Sequence, residues 1–289
     1  MNLDNPARAS SADRRGSDIL ELAPREGGYV TSVTWFVGLC LGLAVVGAAA
    51  TMAAPALVPF LLALGPAAIV VVLAMREGHG ALGALKRSLT RRPADRRWYL
   101  VLLLPIAWAL AVVGVAVVLG EPTEGLFAEL TPTALIIPLV VLLPAFAEEV
   151  AWRGFAVPRL MTVMSPLRAA LLLAVPWTAL HLVLHLPGGV NAGAELWPSV
   201  LSLFAYSVIL TWAFVGTGGS VLITALVHTG LNGTVPLMWG VNAELSWAVR
   251  AVIAAVIAIA VVAVAGKRLG ARTGRMPVAP AAAPLEAQA

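Results

Sequence analysis

The chain carries a small set of polar side chains inside long apolar runs. An ionisable residue in such a run is costly to bury, so it is a candidate for function when partners for it can be named. The residues fall into three groups, each on a different apolar run. The set is Glu148, Glu149, Arg153, His181, His185, His228 and Asn232. Three groups with little other polarity around them predict one shared polar site.

The first group is the run from Glu148 to Arg153. On a helix Glu149 and Arg153 are four residues apart, so they share a face and can pair. Glu148 points about 100° away from Glu149 and is less easily neutralised by the same arginine. Two adjacent carboxylates in a low-dielectric site do not both ionise freely, and a carboxylate that exchanges a proton near neutral pH suits general acid–base catalysis. The alternative is that both glutamates lie at the cytoplasmic boundary and reach water.

The second group is a pair of histidines, and the third pairs a histidine with an asparagine. His181 and His185 are four residues apart on one helical face, which is also an acceptable spacing for metal ligands. His228 and Asn232 have the same spacing. Taken singly, each pair could serve only to bridge helices by hydrogen bonds.

The residue types favour hydrolysis by an activated water. No His-Glu-x-x-His zinc motif is present, and no Asp lies in an apolar run, which excludes a paired-aspartate protease. A serine nucleophile is also disfavoured, because no candidate serine stands in a Gly-x-Ser-x-Gly elbow. These serines are Ser202, Ser207 and Ser220.

The elements that must position these residues are membrane helices. Of the 289 residues, 60% are hydrophobic and only 12% are charged, about half the charged fraction of a soluble protein. The mean hydropathy is +0.91. This composition excludes soluble enzymes, disordered proteins and disulfide scaffolds. The net charge of only +4 argues against nucleic-acid binding, and the single Cys40 allows no disulfide within the chain.

Runs of about 20 apolar residues, enough to cross a bilayer, predict an all-α polytopic bundle of about eight transmembrane helices. Lys and Arg cluster on one side of these spans, which places both termini in the cytoplasm. Residues 1–28 and 269–289 are predicted disordered tails around a transmembrane domain at 29–268, with a catalytic core at about 100–265. The predicted spans are 31–54, 56–75, 98–119, 132–155, 168–187, 197–217, 219–239 and 246–265.

The predicted depths allow the three groups to meet. With a rise of 1.5 Å per residue, Glu148 lies about 10 Å and His228 about 13 Å from the cytoplasmic end. His181 and Asn232 lie about 20 Å deep on the same scale. His185, at about 25 Å, is expected in the outer turn instead.

Three motifs carry a family resemblance: Glu148-Glu149-x-x-x-Arg153, Trp177-x-x-x-His181 and His228-x-x-x-Asn232. In this order, on separate spans, they resemble the CPBP family of CAAX prenyl endopeptidases and bacteriocin-processing or self-immunity proteins. The resemblance covers about residues 100–265. Trp177 stands where Phe is common in the family.

The resemblance implies an intramembrane endopeptidase of eight helices. Glu148 would be the general base, helped by His181, and His228 with Asn232 would donate hydrogen bonds to the oxyanion. Glu149 and Arg153 would form a supporting structural pair. The family has been described both as zinc- or other metal-dependent and as metal-free; a metal would be held by Glu148, His181 and His228. Because Asn is a poor zinc ligand and a good oxyanion donor, we favour no cofactor.

The leading hypothesis is therefore cleavage of a membrane-associated or lipidated peptide. The expected partners are membrane lipid and a peptide or lipidated protein substrate, without nucleic acid. A non-catalytic self-immunity or scaffold protein is the main alternative, and a proton-coupled transporter is a third. Richness in Ala, Val and Gly indicates a bacterium of high genomic GC content and hence a bacterial inner membrane.

Overall fold

A computed structural model describes residues 28–121, 132–238 and 241–271. Every regular element in these ranges is helical. The predicted tails fall almost wholly outside them, so disorder of the tails and the cytoplasmic location of the termini stay predictions. The main helices are α1 (Tyr29–Ala53), α2 (Val58–Glu77), α3 (His79–Thr90), α4 (Leu104–Val118), α5 (Pro132–Glu149), α6 (Val157–Leu160), α7 (Pro166–Leu182), α8 (Leu196–Gly216), α9 (Val221–Gly233) and α10 (Ala243–Ala265).

Short tighter or wider turns extend several of these helices. A 3₁₀ segment, Arg96–Leu103, leads into α4, and a second, Val183–His185, continues α7. A π-helical segment, Val150–Ala156, joins α5 to α6. Other 3₁₀ turns occur at Pro55–Leu57, Val235–Met238 and Gly266–Arg268.

Seven helices in the described ranges are long and apolar enough to cross a membrane: Val30–Ala53, Pro55–Glu77, Arg96–Val118, Pro166–His185, Leu196–Gly216, Val221–Met238 and Ala243–Arg268. The remaining predicted span, 132–155, is also helical and consists of α5 and most of the π-helical segment. Large apolar side chains face outward, such as Val264 with 91% of its surface exposed. An outer surface of this kind suits lipid, and it confirms the predicted polytopic helical bundle.

One helix was missing from the sequence prediction, which treated residues 76–97 as a basic cytoplasmic connection. The first part of this connection is the amphipathic helix α3. Its face with Ala81, Leu85 and Ser88 is buried, whereas Lys86 is exposed. The buried face packs on the π-helical segment, where a Cβ added to Gly154 would lie 3.0 Å from Leu85.

Close helix contacts bring the site-bearing helices together. Helix α9, which carries His228 and Asn232, packs against α5, α8 and α4. A Cβ added to Gly233 would lie 3.0 Å from Pro138 of α5. At Gly230 the contact is tighter, since an added Cβ would lie 2.6 Å from Cγ of Pro105 in α4. Small residues at such crossings allow two backbones to approach in a membrane.

We expect Gly230→Ala to destabilise the protein. The methyl group would overlap the ring of Pro105, which is too rigid to turn aside, and overpacking of this kind costs about 1–3 kcal/mol. Thermal unfolding of the purified protein in detergent measures the effect.

The matched control is Gly114→Ala in α4, where nothing lies within 4 Å of the added Cβ. Because alanine is the better helix former by about 0.5–1 kcal/mol, this control should keep or raise the unfolding temperature. Equal unfolding temperatures for the two variants would contradict the close contact at Gly230.

Candidate active site

A buried ion pair lies where α5 meets the π-helical segment. Glu149 is fully buried and Arg153 is 1% exposed. Nη1 of Arg153 donates to Oε1 of Glu149 at 2.8 Å. A carboxylate taken out of water needs a partner of opposite charge, and Arg153 supplies it from four residues along the same helical run. The predicted Glu149–Arg153 contact is therefore present.

The same carboxylate oxygen also binds His228 of α9. Nδ1 of His228 lies 3.0 Å from Oε1 of Glu149. Because this oxygen already accepts from Arg153, we assign the proton to Nδ1 of His228. Nε2 of the imidazole then has no protein partner within the described residues and is the nitrogen available to a ligand. This contact with Glu149 was not predicted, because residue spacing does not indicate which of the two glutamates faces α9.

Arg153 reaches two further helices. Its guanidinium carbon lies 4.8 Å from the ring centroid of Trp177 in α7, within cation–π range. Nη2 is also 3.5 Å from the backbone carbonyl oxygen of Ser207 in α8. Arg153 therefore neutralises Glu149 and connects its segment with α7 and α8. The Ser207 carbonyl has no signature in the sequence, because any residue type supplies one.

Glu148 has a different environment from its neighbour. Nε1 of Trp177 donates to Oε2 of Glu148 at 2.6 Å. This indole is its one hydrogen-bond partner within the described residues, although Glu148 is only 7% exposed. The other oxygen, Oε1, is left for a small polar ligand such as water. The two adjacent carboxylates thus face different helices and different partners.

Trp177 lies at the centre of the cluster. Its ring contacts the rings of His181 and His228 edge-on, with both centroid distances 5.6 Å. Nδ1 of His181 lies 3.0 Å from the Trp177 carbonyl oxygen. Since a carbonyl oxygen only accepts, Nδ1 carries the proton and Nε2 keeps its lone pair. Glu148 and His181 are therefore linked through opposite ends of one residue, which the sequence marked only as a motif position.

Two residues of the predicted set lie apart from this cluster. Asn232 is one turn after His228 on α9 and partly exposed, and its side chain makes no hydrogen bond to the described part of the chain. His185 lies in the 3₁₀ turn after α7. There it contacts the Ala194 carbonyl oxygen and the Ser199 hydroxyl, at 3.2 and 2.9 Å. It therefore lies in the turn that follows α7, and the position of this turn near the outer membrane surface stays a prediction.

The arrangement does not fit a metal ion. Within residues 28–121, 132–238 and 241–271, no three His, Cys, Asp or Glu side chains are grouped closely enough to hold one. For a metal-dependent mechanism, the expected ligands were Glu148, His181 and His228. Each of these residues keeps a free ligand atom, Oε1 of Glu148 and Nε2 of both histidines, but the three side chains are not grouped closely enough to share one ion.

The sequence missed two features of the site. The π-helical turn is one, since local periodicity does not distinguish it from an α-helix; such turns are often found at functional sites. The second is Arg250. It was grouped with the outer connections, although it stands seven residues into α10 and inside the predicted span 246–265.

Comparison with known proteins gives one family. Residues 130–234 match the family described as type II CAAX prenyl endopeptidase Rce1-like. Among curated proteins none matches the chain. The matched range is just over a third of the chain and includes all three motifs, from Glu148 to Asn232. Residues 130–234 thus match the family that the three motifs predicted.

Proposed function

We propose that this integral membrane protein is an intramembrane endopeptidase in which Glu148 activates the attacking water. The observation that carries the proposal is the contrast between the two glutamates. Glu149 binds Arg153 and His228, whereas Glu148 has only the Trp177 indole on one oxygen. A general base needs a free lone pair within hydrogen-bond reach of the proton it takes. Oε2 of Glu149 also has no partner among the described residues, but it is fully buried, whereas Glu148 keeps 7% of its surface exposed and can meet a water molecule.

The proposed reaction uses the free atoms of the cluster. Oε1 of Glu148 takes a proton from water as the water oxygen attacks the scissile carbonyl carbon, and Nε2 of His181 orients that water. The carbonyl oxygen becomes an oxyanion, which hydrogen-bond donors stabilise by several kcal/mol in a site shielded from water. Protonated Glu148 then gives its proton to the leaving amine, and the peptide bond breaks.

His228 and Asn232 are the proposed oxyanion donors. Nδ1 of His228 already donates to Glu149, so donation from Nε2 requires the doubly protonated imidazole. Because Arg153 already neutralises Glu149, the negative charge of the oxyanion itself would balance the imidazolium. The amide of Asn232, which no described residue engages, supplies the other donor. Asn232 would have to approach the oxyanion from one turn along α9.

The substrate we propose is a membrane-associated or lipidated peptide. The family match supports peptide-bond hydrolysis in general, and the seven apolar helices long enough to cross a membrane support a substrate held at the membrane. A bacterial inner membrane remains our inference from composition. A suitable probe for the experiments is an internally quenched, S-farnesylated CAAX peptide presented to protein reconstituted in liposomes.

Glu148→Gln should affect the cleavage rate, whereas Glu149→Gln should affect the stability of the protein. Glu148→Gln should lower cleavage by about 10²–10⁴-fold, the contribution of a general base, without changing the unfolding temperature. Glu149→Gln should lower the stability, because it leaves Arg153 buried without a counter-charge, and breaking a buried pair costs about 3–5 kcal/mol. Cleavage rate and thermal unfolding are measured on both variants. Full activity of Glu148→Gln would rule out the proposed base.

Replacing His228 by asparagine or by glutamine tests the roles of its two ring nitrogens separately. In His228→Asn the amide stands near Nδ1 and can still donate to Glu149, but nothing replaces Nε2. His228→Gln places an amide donor near Nε2. If Nε2 donates to the oxyanion, the glutamine variant should keep more activity, with a difference of about 10–10²-fold, within the usual effect of one such donor. Equal kcat values would contradict this role.

Trp177→Phe should lower kcat by about 10-fold, because it removes the hydrogen bond that orients Glu148, and a bond to a charged group is worth about 1.5–3 kcal/mol. Phenylalanine keeps most of the ring packing. The matched control is Trp152→Phe, since Trp152 is equally buried but its Nε1 has no hydrogen-bond partner. A loss of kcat of the same size in both variants would show that packing, and not the indole N–H, is responsible.

A further inference from the structure

Arg250 is a charged side chain in an otherwise apolar helix. It lies seven residues, or about 10 Å, from the start of α10. It makes no ion pair with the described residues. An arginine at such a depth normally pairs with a carboxylate or lines a functional cavity. The mechanism proposed above does not use it.

Aromatic rings surround the guanidinium instead of carboxylates. Its carbon lies 5.3 Å from the ring centroid of Trp108 and 5.8 Å from that of Trp247. Tyr206 packs edge-on against Trp108, with 6.1 Å between the centroids. The Tyr206 hydroxyl lies within hydrogen-bonding reach of Arg250 and Ser202. Three helices therefore supply one cage: α4, α8 and α10.

Two donors of this cage are buried without a hydrogen-bond partner among the described residues. They are Nε of Arg250 and Nε1 of Trp108. Trp108 is 1% exposed and Tyr206 is 7% exposed. Buried polar groups are nearly always satisfied. Two unpaired N–H donors, one of them on a positively charged guanidinium, have the chemistry of an anion site.

The cage borders the proposed catalytic cluster. The ring of His185, four residues after His181, lies 6.0 Å from that of Trp247. On the other side, Pro105 is three residues before Trp108 and contacts Gly230, which stands between His228 and Asn232. The cage is therefore reached from the cluster by one helical turn along α7 or along α4.

We propose that Arg250, Trp108 and Tyr206 form a binding site for an anionic oxygen group, a carboxylate or a phosphate, beside the catalytic cluster. The carboxylate would belong to the carboxyl terminus of a bound peptide, and the phosphate to a phospholipid headgroup. The peptide source rests on the proposed function, whereas the anion site itself does not.

The test measures binding without cleavage, in the full chain carrying Glu148→Gln. The probes are an S-farnesylated tetrapeptide with a free terminal carboxylate and the same peptide with a terminal carboxamide. Tryptophan fluorescence follows binding, since Trp108 and Trp247 flank the site. The second arm uses native mass spectrometry to count molecules of phosphatidylglycerol that remain bound to the purified protein.

If a peptide carboxylate binds here, the free acid should bind about 10-fold more tightly than the amide, and adding Arg250→Gln should remove the difference. If a phospholipid phosphate binds here, the two peptides should bind alike, and Arg250→Gln should lose one phosphatidylglycerol.

Arg250→Lys, which keeps the charge, should retain part of either effect. The matched control is Arg268→Gln, an exposed arginine beyond the other end of α10, which should change neither.

The anion site would be overturned if Arg250→Gln leaves the unfolding temperature unchanged and also leaves both peptide binding and phosphatidylglycerol binding unchanged. That result would leave the endopeptidase intact if wild-type protein still cleaves the quenched peptide and Glu148→Gln does not. Conversely, Arg250-dependent binding by a protein that cleaves no peptide would support the anion site and remove the proposed function.

Discussion

The rest of the site depends on neutralising one carboxylate that is buried in an apolar bundle. Glu149 has no exposed surface, and an isolated charge there would be prohibitively costly. Arg153 removes that cost from the next turn, and His228 shares the same oxygen. Because Arg153 also contacts Trp177 and the Ser207 carbonyl, this ion pair ties the α5–α6 run to α7, α8 and α9. The ion pair that neutralises the buried carboxylate therefore also holds four helical segments together.

Neutralising Glu149 leaves its neighbour distinct. Glu148 points to another helix and accepts one hydrogen bond from the Trp177 indole. Two residues of the same type, adjacent in the chain, thus acquire different chemistry from their surroundings alone. The π-helical turn that follows them holds Arg153 within reach of Glu149 while the chain continues into α6. The proposed division of labour, with one structural and one reactive carboxylate, rests on this asymmetry.

Large aromatic side chains have two roles in this apolar protein, one at Trp177 and one in the rings around Arg250. The Trp177 indole gives a hydrogen bond to a carboxylate and two edge-on contacts to histidines. Around Arg250, by contrast, the described part of the chain supplies aromatic faces and no counter-ion. Cation–π contacts of this kind are strongest where water is excluded. They hold the half-buried guanidinium in place and leave its buried Nε without a partner among the described residues, and a ligand could engage that donor.

The sequence by itself determined the class of fold, the spacing of the three motifs and the Glu149–Arg153 pair. These follow from apolar run length and from the four-residue repeat of a helix, which are local properties. Only the tertiary structure decided that His228 contacts Glu149, that an indole binds Glu148, and that Arg250 stands among aromatic rings. These contacts join residues far apart in the chain, and they depend on how each helix is rotated and how closely it packs. Small residues such as Gly230 set that approach, and no local periodicity encodes which neighbour they will meet.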